Sequence, residues 1–111
     1  MDLNINQFEA EMNRGFLQIL VLAALEKSMY GYMMVKTFAK MGYTVEENTL
    51  YPLLRRLEKY SLIKSEWDVS QGRPKKFYVI TETGKTTRGA LLNKWDTQSR
   101  ILANLTKEIQ S

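Results

Sequence analysis

The chain has 111 residues, a formal net charge of +4, and neither cysteine nor histidine. That excludes a disulfide framework, a Cys/His zinc site and the commonest nucleophile–base pairings, so neither an enzyme nor a metal or cofactor is expected. A single domain of this length can bury a core, and dimerisation would help it, but the excess of Lys and Arg is too small to establish nucleic-acid binding by itself.

Ile5, Phe8, Met12 and Phe16 recur at helical spacing and lead into a nearly continuous apolar run from Phe16 to Leu25. The segment before the run carries Asp2, Glu9 and Glu11 against Arg14, the wrong sign for a secretory leader, and the run is too short to cross a bilayer. A buried core helix is therefore expected, with no membrane role. Ser28-Met29-Tyr30-Gly31 should break it. A second helix then runs from Tyr32 to Lys40, with Met33, either Val35 or Met34, and Phe38 facing inward, and Gly42 closes it as a C-cap glycine. Tyr43-Thr44-Val45 connects onward, and Val45 is a candidate for a minor strand.

The third helix has the clearest stripe: Leu50, Leu53, Leu54 and Leu57 at i, i+3, i+4 and i+7. Asn48 or Thr49 is expected as its N-cap, and Pro52 should keep the helix from beginning much earlier. The stripe leaves Asn48, Thr49, Tyr51, Arg55, Arg56 and Lys59 on the other side. After Lys64 the period changes. Lys64–Trp67 and Lys76–Ile80 read as strands around a Gln71-Gly72-Arg73-Pro74 turn, with no acid from Ser70 to Tyr78. Trp67 is expected to anchor this ribbon onto the helices.

From Glu82 to Ser111 the chain reads as one long helix. Leu91, Trp95, Gln98, Leu102, Leu105 and Ile109 alternate steps of four and three, the seam of a helix pair, and Leu92 and Ile101 widen it. So small a domain cannot cover such a stripe, so a homodimer is expected through Leu91, Trp95, Leu102, Leu105 and Ile109, helped by the Phe8/Met12 face of the first helix. The alternative is a helix folded back on its own core. Trp95 and its copy could face each other across the two-fold axis and leave a slot for a planar aromatic guest, with Phe8 and Met12 as walls; otherwise Trp95 only packs the interface.

A polar-faced helix followed by a basic-tipped ribbon suits a winged helix on double-stranded DNA. The candidate contacts are Asn48, Thr49, Tyr51, Arg55 and Arg56 on the helix and Arg73, Lys75 and Lys76 on the wing. Lys36 and Lys64 are candidates for backbone phosphate. The bland alternatives are a solvated helix face, with Arg55 near Glu58, and an ordinary charged hairpin. Glu46-Glu47 is simplest as dipole-favoured surface charge at a helix start.

Three stretches carry a family resemblance: Asn48-Thr49-Leu50-Tyr51-Pro52-Leu53-Leu54-Arg55-Arg56-Leu57-Glu58, Leu62-Ile63-Lys64-Ser65-Glu66-Trp67, and Gly72-Arg73-Pro74-Lys75-Lys76-Phe77-Tyr78. With Tyr30-Gly31-Tyr32 upstream and Thr81-Glu82-Thr83-Gly84 downstream, the chain resembles the PadR-type transcriptional regulators over roughly Gly15 to Trp95. It departs from them where Asn48 and Ser61 stand in place of glycine. The resemblance implies a mainly α (α+β) winged helix-turn-helix over residues 1–81 and a dimerisation helix over 82–111. It implies a cytoplasmic, homodimeric, sequence-specific regulator on a pseudo-palindromic operator, a repressor released by a small aromatic or drug-like effector. The competing function is a winged-helix protein-interaction module without a specific DNA site.

Overall fold

The computed structural model describes residues 4–111 and consists, among these, of four helices and a three-stranded antiparallel sheet. Helix α1 spans Ile5–Ala24, strand β1 Met29–Tyr30, α2 Gly31–Lys40, α3 Glu47–Lys59, β2 Ile63–Asp68, β3 Lys75–Ile80, and α4 Glu82–Gln110. Helices preceding a β-ribbon, with a long final helix, give the mainly α winged helix-turn-helix expected. Among the described residues no helix is long and apolar enough to cross a membrane.

The core forms where the apolar run of α1 meets the next two helices. Leu17, Val21, Leu22 and Leu25 pack with Met34 and Phe38 of α2 and with Leu50, Leu54 and Leu57 of α3. Ile63, Tyr78 and Ile80 close it from the sheet. Burial of side chains of this kind stabilises by about 2 kcal/mol each, which is why the apolar spacing dictates the helix faces. Leu53, expected in the stripe, is only half-buried at its margin.

The helix ends explain the turns. Behind α2, Gly42 (φ 89°) completes a Schellman turn: Tyr43 N–H donates to the Phe38 carbonyl at 2.9 Å and Gly42 N–H to Ala39 at 3.0 Å. The same turn closes α3 with a serine, since Leu62 N–H reaches Leu57 at 3.0 Å and Ser61 N–H reaches Glu58 at 2.9 Å. Ser61 adopts φ 61° to do so, a left-handed conformation that suits glycine better.

Two expectations are corrected. Neither Asn48 nor Thr49 caps α3; Glu46 holds that position without a side-chain hydrogen bond, and Pro52 is accommodated within the helix. The proline removes the donor for the Asn48 carbonyl, but Asn48 is exposed and solvent can meet that group. Val45 forms no strand and instead plugs the core at 8% exposure. The minor strand is Met29–Tyr30, whose register sets Met29 opposite Tyr78 and Tyr30 opposite Phe77 on β3. Breaking the helix at Ser28–Gly31 brings this segment to the free edge of β3.

Helix α4 begins with a second tight junction. Thr81 caps it, its hydroxyl accepting from Gly84 N–H at 3.0 Å and donating to the Ser61 carbonyl at 2.6 Å. Gly84 is buried because the first turn of α4 crosses the segment that follows α3; a Cβ would lie 2.0 Å from the Leu62 carbonyl oxygen. The helix then leaves the core. Beyond Leu91, which packs against the core, most of its apolar residues face solvent.

Candidate nucleic-acid interface

At 100° per residue, the buried stripe of α3 puts Asn48, Pro52, Arg55 and Lys59 at the centre of its outward face. All four are exposed. Thr49 and Arg56 lie on the flank toward α1, where with Asn48 they line an open groove of about 680 Å³ that also takes in Arg14 and Gln18. Tyr51 and Glu58 lie on the flank toward the wing.

That second flank is occupied by packing. Tyr51 is half-buried against the start of α2, where a Cβ on Gly31 would come within 2.6 Å of its ring. Burial, reinforced by the charge of Glu47, pushes its phenol above the usual range, so it stays neutral at physiological pH. Glu58 accepts from the Ser65 hydroxyl at 2.5 Å and pairs with Lys76 at 3.7 Å. These contacts tie the ribbon to the helix and leave Glu58 committed to the wing. Arg55 and Arg56 therefore have no ion-pair partner among the described residues, and the suggested Arg55–Glu58 pairing does not form.

The wing is held in shape at its tip. The Asp68 carboxylate accepts from the Ser70 hydroxyl at 2.6 Å and from its N–H at 2.9 Å, and these bonds lower its pKa from the ordinary value. Gly72 takes φ 77° and Arg73 N–H closes the turn onto the Gln71 carbonyl at 2.9 Å. Arg73 and Lys75 make no ion pair among the described residues, although the Lys75 ammonium sits 4.6 Å from the centre of the Tyr30 ring. Lys76 is drawn inward, over Tyr78 at 5.5 Å and toward Glu58. Lys36 is exposed on α2 beside the Tyr32 ring. Lys64 is opposite Val79 and alternates with Ser65, which places it on the sheet face away from α3.

Trp67 departs from expectation. It is 66% exposed and anchors nothing; Ser65, Ile63 and Tyr78 hold the ribbon instead. Ile63, Ser65 and Trp67 share one face of β2, but only the first two are covered.

On the opposite side of the molecule, Trp95 packs on Phe16 with ring centres 5.3 Å apart, and Phe16 packs on Tyr43 at 5.4 Å. Phe16 ends the Ile5/Phe8/Met12 stripe, but spacing did not reveal Trp95 and Tyr43 as its partners. Phe8 and Met12 themselves stay exposed, as do Leu102, Leu105 and Ile109. Arg88 of α4 reaches Glu26, just past α1, at 2.7 Å, a second long-range link that spacing did not reveal. Its guanidinium lowers the Glu26 pKa from the ordinary value.

A three-helix core, a third helix whose outward arginines are unpaired among the described residues and a basic-tipped ribbon are the parts of a winged-helix DNA-binding regulator. The model of the transcriptional regulator PadR-like family matches residues 19–90, and the chain belongs to that family. It is therefore a transcriptional regulator rather than an enzyme, and it acts through DNA. A PadR family regulator from Eggerthella lenta superposes with a TM-score of 0.85 at 37% identity, over 92% of this chain and 91% of that one. A PadR-like regulator from Bacillus cereus gives 0.78 at 30% identity over 86% and 96%. In sequence, a protein described as a transcriptional regulator of Mycobacterium tuberculosis is 32% identical over 89% of this chain and 87% of its own length.

Proposed function

We propose that the protein is a homodimeric, sequence-specific repressor that reads a pseudo-palindromic operator and is released by a small planar aromatic effector. The uncovered apolar stripe carries this reading. Ile5, Phe8 and Met12 on α1 and Trp95, Ile101, Leu102, Leu105 and Ile109 on α4 remain exposed, far more than isolated surface residues require. A second copy of the chain is the natural cover, because the α4 residues recur at seam spacing along a helix ~44 Å long. Pairing through α4 leaves both recognition helices free to enter successive major grooves ~34 Å apart.

The site residues divide by role. Asn48, Arg55 and Arg56 approach bases or the adjoining phosphates, with Thr49 beside them. Arg73 and Lys75 hold backbone phosphate from the wing. Tyr51 and Lys76 support the geometry from behind, and Lys36 and Lys64 contribute only to the surrounding field. Residues 1–81 supply the reading head and 82–111 the pairing helix, within a cytoplasmic regulator.

Effector control is supported by the junction between α3 and α4. Thr81 and Gly84 join the first turn of α4 to Ser61 and Leu62, so a rotation of α4 moves the end of the recognition helix with it. A guest held between Trp95 and its symmetry mate changes the spacing of the two heads, and release follows if it binds the wider arrangement more tightly. Selection of bound sequences from a random duplex pool tests the reading. Two inverted half-sites about one helical turn apart are expected. Recovery of unrelated sequences would instead support a protein-interaction module.

A further inference from the structure

The exposed Trp67 lies at a junction of three elements. With Arg73, Lys75 and the tyrosines Tyr30, Tyr32 and Tyr51, it lines a slot of about 510 Å³ between the wing and the start of α2. A lone apolar residue on a surface needs no explanation. This one stands in a recess whose other walls are aromatic rings and cations, and Tyr51 joins the recess to the outward face of α3. The charge around it is one-sided. Arg73, Lys75 and Lys76 line the slot and no acid does; Glu66 and Asp68 alternate with Trp67 and line the recess beside it, where Asp68, engaged by Ser70, stands opposite Lys75 across the ribbon. Arg73 and Lys75 have no ion-pair partner among the described residues.

We infer that Trp67 closes a seat for one sugar–phosphate strand of duplex DNA, a positioning contact that deepens the regulator reading and rests on it. The occupant must be anionic at intervals and apolar between them. Successive phosphates match Arg73 and Lys75, and the deoxyribose between them offers an apolar edge to the indole. The contact carries no base identity. It sets how far the wing settles onto the strand and hence the register of Arg55 and Arg56 in the neighbouring groove.

A sugar contact and a phosphate contact respond differently to salt, and that separates the roles. In titrations with a short mixed-sequence duplex at several salt concentrations, Trp67→Ala should weaken binding about tenfold. It should leave the slope of log affinity against log salt unchanged, because an indole releases no counterion. Lys75→Ala should lower that slope by about one. In parallel, wild-type tryptophan emission should shift to shorter wavelength on adding duplex, and this shift should be absent from Trp67→Phe protein. Because Trp67 is exposed, both variants should melt like the wild type. If wild-type protein binds duplex while Trp67→Ala binds equally well with the same slope, the seat is wrong and the regulator reading stands. If wild-type protein binds no duplex at all, the regulator reading itself fails. An emission shift produced by an acidic peptide such as polyglutamate, but not by duplex, would overturn the inference in favour of a protein partner.

Discussion

Helices α3 and α4 are both amphipathic, yet the fold treats them differently. On α3, Leu50, Leu54 and Leu57 disappear into the core and the outward face is left with charge; on α4 only Gly84 is buried, and the outward face is left with hydrocarbon. The same helical spacing thus produces a completed element in one case and an incomplete one in the other. What remains exposed indicates the partner. Unpaired arginines suit a polyanion, and an uncovered Leu/Ile stripe suits another apolar helix.

The largest effect is expected where the first turn of α4 lies on the segment that follows α3. Gly84→Ala places a methyl against the backbone at Leu62, which has no rotamer to escape by, and should cost about 3 kcal/mol or more in urea denaturation. An unchanged midpoint would show that α4 can pivot away from α3. On the α4 side alone, Leu105→Asp should weaken self-association at least about a hundredfold by sedimentation, because it buries an unpaired charge in the seam. The head should keep its far-UV spectrum. On the α3 side alone, Arg55→Ala or Arg56→Ala should each reduce duplex affinity about tenfold without altering self-association.

Smaller effects sharpen the junction. Ser61→Gly should raise stability by about 1 kcal/mol, since it relieves a left-handed serine that closes the same hydrogen bonds. A loss of stability would mean that the serine side chain contributes something the backbone does not. The smallest effect concerns Glu26 and Arg88. The folded pKa of Glu26 lies below its unfolded value, so this link is fully formed above the ordinary glutamate range and is lost as pH falls through the folded pKa. Glu26→Gln should flatten that portion of the acid-stability profile and leave neutral-pH binding alone.

Much of this division is legible in the sequence because periodicity reports burial directly. The Leu50–Leu57 stripe, the change of period after Lys64, the turn at Gly72 and the helical course of the apolar residues from Leu91 to Ile109 each follow from spacing. Contacts set by tertiary placement are less accessible. Nothing in the local pattern says that β1 would form at Met29–Tyr30 rather than Val45, since the choice depends on which segment reaches the edge of β3. Trp67 shares the inward face of β2 with Ile63 and Ser65, yet it stays exposed, which its spacing alone does not reveal. Tyr51 looks outward by helical angle, yet Gly31 opens a seat for its ring. Glu58 likewise turns from a neighbour of Arg55 into the wing's own tether.

In the proposed complex two chains, joined through α4, hold two α3 helices against one double helix. Sedimentation equilibrium on the protein with a pool-selected duplex tests this most directly. The predicted result is two chains per duplex, reduced to weak single-chain binding in Leu105→Asp protein. One chain per duplex at undiminished affinity would contradict it.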